Sequence, residues 1–270
     1  MNSSKSISLQ YQGYLNTPLL WNNHALFGIE QLHVVSSETS SFKGAIPDNL
    51  VLGKRVERFV FEELEQLKSI EILLKNNQIQ NGKTTVGEID CMLKQDGDPV
   101  HLEIVFKFYL YDPAIGTNEI DRWIGPNRKD TLVKKLTKLK EKQLPLLFNK
   151  HTETVLNNLA LDANHIDQRV LFKAQLFTPY KAKVTFNTLN QECLMGFYVN
   201  PLELEQFIKC EFYIPKKVDW LIEANNEVEW SDLNSFKQST LYLMENKKAP
   251  LCWIKFPNGK LSKFFVVWWN

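Results

Sequence analysis

The sequence lacks the features of membrane and secreted proteins. No stretch approaches the roughly 20 consecutive apolar residues that span a bilayer, and the amino-terminal segment MNSSKSISLQYQGYL has no apolar core of the signal-peptide kind. The four cysteines form no C-x-x-C pair, and each lies in an apolar run, where cysteine packs as a small hydrophobic residue. We therefore expect a cytoplasmic protein with reduced cysteines, no structural zinc site and no membrane partner.

A strong charge bias and a phosphate-binding loop are also missing. The net charge is +1 over 270 residues, so any affinity for nucleic acid must come from a local basic patch. The segment GPNRKD does not match the G-x-x-x-x-G-K-[ST] loop. The five histidines have no spacing typical of metal ligands. These absences argue against a P-loop enzyme and against a histidine-bound metal.

The composition is that of an ordinary globular protein. It is 44% hydrophobic and 23% charged, and its length suits one large domain or two small ones. The pattern of apolar residues changes after about residue 150. We predict an α/β protein with a central mixed sheet flanked by helices. Residues 1–150 would form the core with an amino-terminal helical extension, and residues 151–270 an α+β region, separate from the core or continuous with it.

Periodicity and turn residues divide the first part of the chain into elements. Short helical pieces are expected over residues 14–35, and a polar loop over Ser36–Phe42. A helix begins near Leu50, and its apolar stripe consists of Val56, Val60, Leu64 and Leu67. The segment KNNQIQNGKTT, residues 75–85, is then predicted as a turn region after the short apolar run EILL.

A β-hairpin is predicted next, with strands at about residues 86–93 and 100–110 around the turn KQDGDP. A helix follows in which Leu132, Leu136 and Leu139 repeat at helical spacing, and Pro145 is expected to end it. In the second half, QRVLFKAQLF, ECLMGFYV and CEFYI are typical of strands, whereas PLELEQFI and DLNSFKQSTLYLMEN are typical of helices. The last residues read as two strands around Asn258-Gly259, a strong hairpin signal.

Charged residues interrupt the apolar strands of the first hairpin. In its second strand, alternation puts His101, Glu103 and Lys107 on one face and an apolar series on the other. In its first strand, Asp90 lies on one face with Glu88 and Met92. Pairing of the two strands is therefore expected to place Asp90 beside Glu103.

Two neighbouring carboxylates repel each other unless one is protonated or a cation lies between them. Magnesium is typically held by one or two carboxylates and keeps positions for water and substrate phosphate. This makes Asp90 and Glu103 candidate ligands for Mg²⁺ or Mn²⁺, and Lys107 a candidate for orienting water or offsetting charge at a phosphate. The alternative is a structural ion pair of Lys107 with either carboxylate. His101 would contact a phosphate or water, or else be a buried, hydrogen-bonded histidine.

The helices on either side of the hairpin add candidates. Glu57 lies beside the apolar stripe of the first helix, from which it would reach the sheet or, alternatively, pair with a neighbouring base. Arg128, Lys135 and Gln143 lie on or near the leucine face of the second helix. From Arg128 to Lys142 there are seven basic and two acidic residues, a local net charge of +5. Arg128, Lys135 and Lys138 are therefore candidates for binding nucleic-acid phosphates, unless this is only a solvated surface.

The order of these elements resembles the core of the PD-(D/E)XK nuclease superfamily. The segments LGKRVERFV, GEIDCML, HLEIVFKFYL and WIGPNRKDTLVKKLTKLKEKQL are similar to the bacterial family called domain of unknown function 1853, and VDWL and KFFVVWW extend the likeness. The resemblance implies an α/β core in which Asp90 and Glu103 bind the metal and Lys107 assists at the reacting phosphate. Glu57 and Gln143 would support the site.

The sequence departs from the superfamily pattern at two places. The lysine should follow the acid by two residues, but Val105 holds that position and Lys107 lies about 7 Å further along the strand. Ile89 replaces the proline before Asp90. We expect a metal-dependent phosphodiesterase acting on nucleic acid, DNA rather than RNA. The alternatives are a non-cleaving nucleic-acid-binding module on the same fold and a structural protein with a buried ion network; no protein partner is indicated.

Overall fold

The structure, a computed structural model, describes residues 3–22, 24–34 and 41–269. The polar loop predicted at Ser36–Phe42 therefore lies outside the described residues except for its last two positions. The helices are α1 (Ser3–Leu15), α2 (Leu52–Glu65), α3 (Leu132–Lys138), α4 (Glu153–Asn158) and α5 (Leu233–Glu245). The strands are β1 (Ile70–Asn81), β2 (Thr84–Gln95), β3 (Asp98–Tyr111), β4 (Trp123–Ile124), β5 (Asp167–Pro179), β6 (Leu194–Val199), β7 (Glu211–Tyr213), β8 (Leu251–Lys255) and β9 (Leu261–Val266).

The strands form a mixed sheet of nine strands, in the order β1-β2-β3-β5-β6-β9-β8-β7, with β4 paired to β3 beside this path. Strand β6 pairs in parallel with both β5 and β9, whereas the pairs β1–β2, β2–β3, β7–β8 and β8–β9 are antiparallel. Helices flank the sheet, so the predicted α/β class with a central mixed sheet is confirmed. None of the helices among the described residues is long and apolar enough to cross a membrane.

The chain separates into two compact units, each made of non-contiguous segments. One unit comprises residues 19–106 and 134–173, and the other comprises residues 1–18, 107–133 and 174–270. We call the first the carboxylate unit and the second the carboxyl-terminal unit. These units are defined by compactness alone. They do not test the domain boundary predicted near residue 150, which stays a prediction.

Each unit has its own apolar core. In the carboxylate unit, a cluster packs around the β1–β2 hairpin and the segment before and within α4, with Ile79, Ile89, Met92, Leu147 and Leu156 as buried members. In the carboxyl-terminal unit, β6, β8, β9 and α5 bury Val199, Phe212, Phe236, Ile254 and Phe264. The cysteines Cys91, Cys193, Cys210 and Cys252 are buried and free, as their apolar surroundings predicted.

The hairpins and most strands were predicted correctly, but residues 75–85 were not. They belong to β1 and β2, and only a tight turn at Gly82 separates the two strands. Gly82 takes a positive φ of 60°, which glycine adopts without strain. Strand β1 is largely exposed, so its polar residues lie on a solvated surface, and the polar composition that suggested a turn is compatible with a strand.

Two helix predictions also need correction. Residues 16–22 and 24–34 contain no helix, because their backbone pairs with β5 instead: Leu20 and Leu32 donate to the carbonyls of Phe172 and Val170, each at 2.8 Å. The helix after the hairpin is α-helical only to Lys138 and continues as a π-helical turn over Leu139–Gln143 and a 3₁₀ turn over Leu144–Phe148. Pro145 therefore lies inside helical backbone rather than at its end.

Candidate carboxylate site

The β2–β3 hairpin brings Asp90 next to Glu103. Its turn uses Asp96 and Gly97, both at positive φ (52° and 97°), a pair suited to a two-residue hairpin loop. The resulting register ends with Cys91 opposite Leu102, and one further step puts Asp90 opposite Glu103. At that step Asp90 Oδ2 accepts the backbone N–H of Ile104 at 2.9 Å. The carboxylate thus takes the place of a ladder carbonyl where the strand pairing ends.

Glu103 is fully buried and held through both of its oxygens. His101 Nε2 lies 3.2 Å from Oε1, and both side chains are 0% exposed. The Gln143 amide donates to Oε2. A buried carboxylate requires such partners, because an ionised acid without them loses its hydration at large cost.

Gln168 on β5 determines which nitrogen of His101 carries the proton. Its amide nitrogen lies 3.1 Å from His101 Nδ1 and donates to the carbonyl of Leu144 at 2.5 Å. Since an amide nitrogen only donates, Nδ1 of His101 is the acceptor in a neutral ring and Nε2–H then points at Glu103. The histidine is therefore buried and hydrogen-bonded, and it serves as a donor to the acid.

The ammonium group of this cluster comes from Lys135. Its Nζ donates to Gln143 Oε1 at 2.8 Å, and its charge acts to lower the pKa of Asp90. Lys135 lies on α3, and Gln143 ends the π-helical turn that follows. The π-helical turn aims the Gln143 amide at Glu103, a re-orientation that a continuous α-helix would not give.

Burial and like charges act together on Asp90. Burial, followed by the charge of Glu103, raises the pKa of the Asp90 carboxyl to about 7, against the opposing hydrogen bond from Ile104. The charge of Glu57 raises the pKa further. A carboxyl whose pKa is raised towards neutrality therefore lies beside a second carboxyl that accepts two hydrogen bonds.

Glu57 on α2 lies near enough to Asp90 for its charge to raise the pKa of that acid, and it also has a basic partner. Lys54 lies 2.8 Å from Glu57 and 3.0 Å from Glu88 on β2. Burial raises the pKa of Glu57, and the hydrogen bond and charge of Lys54 oppose this rise. Glu57 is therefore a partly buried acid paired with a base, and its predicted role in supporting the site stays a prediction.

The side chains fit a magnesium site of the two-carboxylate kind. No group of three or more His, Cys, Asp or Glu side chains suited to a metal occurs in the described ranges. Magnesium does not need one, because it is commonly held by one or two carboxylates and retains several waters. Asp90 uses only Oδ2 in the described structure, and each oxygen of Glu103 keeps one lone pair beyond its hydrogen bond. Asp90 and Glu103 are therefore the residues that would hold the ion.

Two predicted residues have partners in the carboxyl-terminal unit. Lys107 pairs with Asp130 at 2.6 Å. Arg128 pairs with Asp112 at 2.8 Å, and its guanidinium lies 4.7 Å from the ring centroid of Trp269. Arg128 precedes α3, so it does not belong to the basic helix to which the periodicity had assigned it. Trp269 is itself buried.

Sequence reasoning missed one member of the site. Gln168 is one of several polar residues at the start of a strand, and nothing in its spacing indicates His101. The predicted phosphate-binding role of Lys135 stays a prediction, and in the structure its ammonium also donates to the Gln143 amide. On the basic helix, Lys138, Lys140 and Lys142 are exposed.

The comparisons with known proteins give a family but no activity. The family described as Domain of unknown function (DUF1853) matches residues 21–267, so the chain belongs to this family. Neither the comparison with curated proteins nor that with solved structures gave a match.

Proposed function

We propose that this member of the DUF1853 family is a magnesium- or manganese-dependent phosphodiesterase that acts on nucleic acid, DNA in preference to RNA. The observation that carries the proposal is the juxtaposition of Asp90 and Glu103, with the pKa of Asp90 raised to about 7 by burial and by Glu103. A divalent cation is the ligand that relieves such repulsion. The succession of α2, β2, β3 and α3, each contributing a side chain, supports the likeness to the PD-(D/E)XK nucleases.

Each residue then has a separate task. Asp90 and Glu103 hold the ion, which when bound supplies charge stabilisation at the phosphate and activates water. His101 and Gln143 fix the orientation of Glu103, as groups behind metal ligands generally do. Lys135 offers positive charge close to the carboxylates, and the exposed lysines of its helix neutralise the nucleic-acid backbone. Glu57 adds a further acid at the edge of the cluster.

The test is cleavage of labelled single-stranded DNA, double-stranded DNA and RNA with Mg²⁺, Mn²⁺ or Ca²⁺. Wild-type protein is compared with Asp90→Asn, and Asp98→Asn is the matched control, since Asp98 is an exposed acid on the same hairpin. We expect metal-dependent cleavage that Asp90→Asn abolishes and Asp98→Asn leaves intact. Cleavage that persists in Asp90→Asn would refute the assignment of the site.

A second candidate is a binding module that does not cleave. It is favoured by the ion pair of Lys107 with Asp130, because a lysine engaged in this way is not free to assist at a phosphate. Binding of DNA with wild-type affinity but without cleavage in any metal would support this candidate. Loss of both binding and cleavage would leave the cluster a structural network.

A further inference from the structure

A buried lysine lines a cavity in the carboxyl-terminal unit, and the cavity lining includes none of the residues of the proposed function. Lys263 on β9 is 6% exposed. Its ammonium donates to Gln175 Oε1 at 3.1 Å and to the carbonyls of Trp220 and Leu221 at 2.8 and 3.1 Å. All three acceptors are neutral. No carboxylate of the described chain lies within ion-pair distance of Lys263, although a buried charge is normally paired.

The cavity has the size of a small-molecule site. It measures about 620 Å³ and is lined by residues of α1 and its following turn, β5, β6 and β9. The charged residues on its lining are Lys181, Glu223, Lys260 and Lys263, so positive charge prevails. Glu223 is exposed and accepts a hydrogen bond from Asn16 at 2.8 Å. Three lysines and one acid therefore line the cavity, and the charge of the acid, Glu223, acts on Lys263 without forming an ion pair with it.

An aromatic wall continues from this cavity. A neighbouring cavity of about 560 Å³ shares Tyr180, Phe197, Lys260 and Ser262 with the first and adds Phe256. Tyr180, Phe197 and Phe256 are half-buried, and they pack on Phe207 behind them. The ammonium of Lys181 lies 5.1 Å from the ring centroid of Tyr180. Lys181 has a left-handed φ of 62°, a strained conformation for a residue other than glycine and one that often marks ligand sites.

We propose that this groove binds a nucleotide, with its phosphate beside Lys263 and Lys260 and its base against the wall of Tyr180, Phe197 and Phe256. The phosphate adds negative charge beside a buried ammonium whose three N–H groups are bonded to neutral acceptors and on which, among the described residues, only the charge of Glu223 acts. The base completes the aromatic wall, since stacking on aromatic side chains accepts any base. Burial lowers the pKa of Lys263 to about 7, and the charge of Glu223 only partly opposes this shift.

The nucleotide is either free or the end of a nucleic-acid chain, and calorimetry with two probes distinguishes these sources. Adenosine monophosphate and a short single-stranded DNA carrying a 5′-phosphate are titrated into wild-type protein, with inorganic phosphate as the probe that lacks a base. We expect adenosine monophosphate to bind more tightly than inorganic phosphate. If the DNA binds still more tightly and Lys260→Ala weakens it as much as it weakens adenosine monophosphate, the ligand is a chain end; if adenosine monophosphate binds as well as the DNA, it is a free nucleotide. Equal affinity for phosphate and for both nucleotides would overturn the proposal.

The proton linkage identifies Lys263 as the contact. At pH 8 its ammonium is largely deprotonated, so binding of a phosphate should take up close to one proton per ligand, whereas at pH 5.5 the uptake at Lys263 should vanish. The uptake is read from the binding enthalpy in buffers of different ionisation enthalpy. Lys263→Met should abolish it and weaken binding by about tenfold or more. Proton uptake that persists in Lys263→Met would refute the assignment. The absence of proton uptake in wild-type protein at pH 8 would refute it as well.

A variant at the exposed edge of the groove tests the proposal even if Lys263→Met does not fold. Lys260→Ala changes an exposed residue and should weaken nucleotide binding severalfold, whereas Lys209→Ala, an exposed lysine outside both cavities, should not. Equal affinities of these two variants would count against the groove. The nucleotide titrations are carried out without divalent metal, and the stabilisation by metal at Asp90 and Glu103 is measured without nucleotide, so that failure of the proposed nuclease function and failure of this site are separate results.

Discussion

Asp90 Oδ2 accepts the backbone N–H of Ile104 at 2.9 Å, and this single bond ties the acid on one strand to the residue that follows Glu103 on the next. The bond replaces a carbonyl of the strand ladder, so Asp90 cannot turn away from Glu103 without leaving a backbone N–H unpaired. The repulsion between the two acids is therefore built into the hairpin. Most of the predictions below follow from it.

The stability of the protein should fall as pH rises towards 7. The folded pKa of Asp90, about 7, lies above its value of 3.8 in the absence of the fold, so the folded state binds more protons between these pH values. The stabilisation that Asp90 contributes to the folded state is fully present below pH 3.8, and it is lost as the pH rises through 7. Since one pKa unit corresponds to about 1.4 kcal/mol, the loss amounts to at most about 4 kcal/mol.

Asp90→Asn removes this dependence. Urea unfolding of the variant between pH 4.5 and 8 should show a flatter curve than wild type and greater stability at pH 8. Asp98→Asn, on the same hairpin but exposed, should follow the wild-type curve. Parallel curves for wild type and Asp90→Asn would show that the Asp90 carboxyl titrates in its ordinary range.

Divalent metal should stabilise the folded protein. An ion between Asp90 and Glu103 binds the folded state preferentially, and a concentration about a hundredfold above Kd adds about 2.7 kcal/mol to the free energy of unfolding. The melting temperature at pH 8 should therefore rise with millimolar Mg²⁺ or Mn²⁺. Asp90→Asn should lose most of this rise. A wild-type melting temperature that does not respond to either ion would rule out the metal site.

His101 should be important for stability through Glu103. Replacement by phenylalanine removes the donor to Oε1 and leaves the buried acid with one partner fewer, which costs about 1–3 kcal/mol. The double variant His101→Phe with Glu103→Leu should be less destabilised than the sum of the two single variants, because both partners are then absent. Urea denaturation of the four proteins measures this coupling, and strict additivity would mean that the two side chains do not interact.

The exposed lysines of the basic helix should contribute to nucleic-acid affinity and to its salt dependence. Lys138→Ala should lower the slope of log affinity against log salt by about one without changing sequence preference, since phosphate contacts carry no sequence information. Lys135→Ala should also disturb Gln143, its hydrogen-bond partner. Lys68→Ala, an exposed lysine outside this helix, is the control. Identical binding of Lys138→Ala and Lys68→Ala at all salt concentrations would make the helix an ordinary solvated surface.

Replacing Lys107 tests which of the two candidate functions, nuclease or non-cleaving binding module, the protein has. Its pair with Asp130 is over one-third exposed on both sides, so Lys107→Ala should cost less than about 1 kcal/mol of stability. If Lys107 nevertheless assists at the phosphate, cleavage should fall by about a hundredfold or more while metal stabilisation persists. Asp130→Asn, which frees the lysine, is the matched variant. Unchanged cleavage in Lys107→Ala would assign the electrostatic role to Lys135.

The sequence by itself determined the hairpin and the neighbours within it. Side chains alternate strictly along a strand, so once the turn at Asp96-Gly97 fixes the register, Asp90 must lie beside Glu103. The same reasoning gave the carboxyl-terminal hairpin, where Gly259 takes the positive φ that its turn requires. The leucine stripe of α3 also follows from periodicity, and Leu132, Leu136 and Leu139 are fully buried.

Only the tertiary structure decided the partners of long polar side chains. A lysine reaches several acids from one backbone position, and packing selects among them: Lys107 pairs with Asp130, whereas Lys135 joins the carboxylates through Gln143. The π-helical turn that aims Gln143 leaves no mark in the apolar spacing. Lys263 reads as one lysine among many, and its burial beside neutral acceptors depends on strands and turns far apart in sequence. Local periodicity determines the face of a helix or strand on which a residue lies. The packing of segments distant in sequence determines which residues that face contacts.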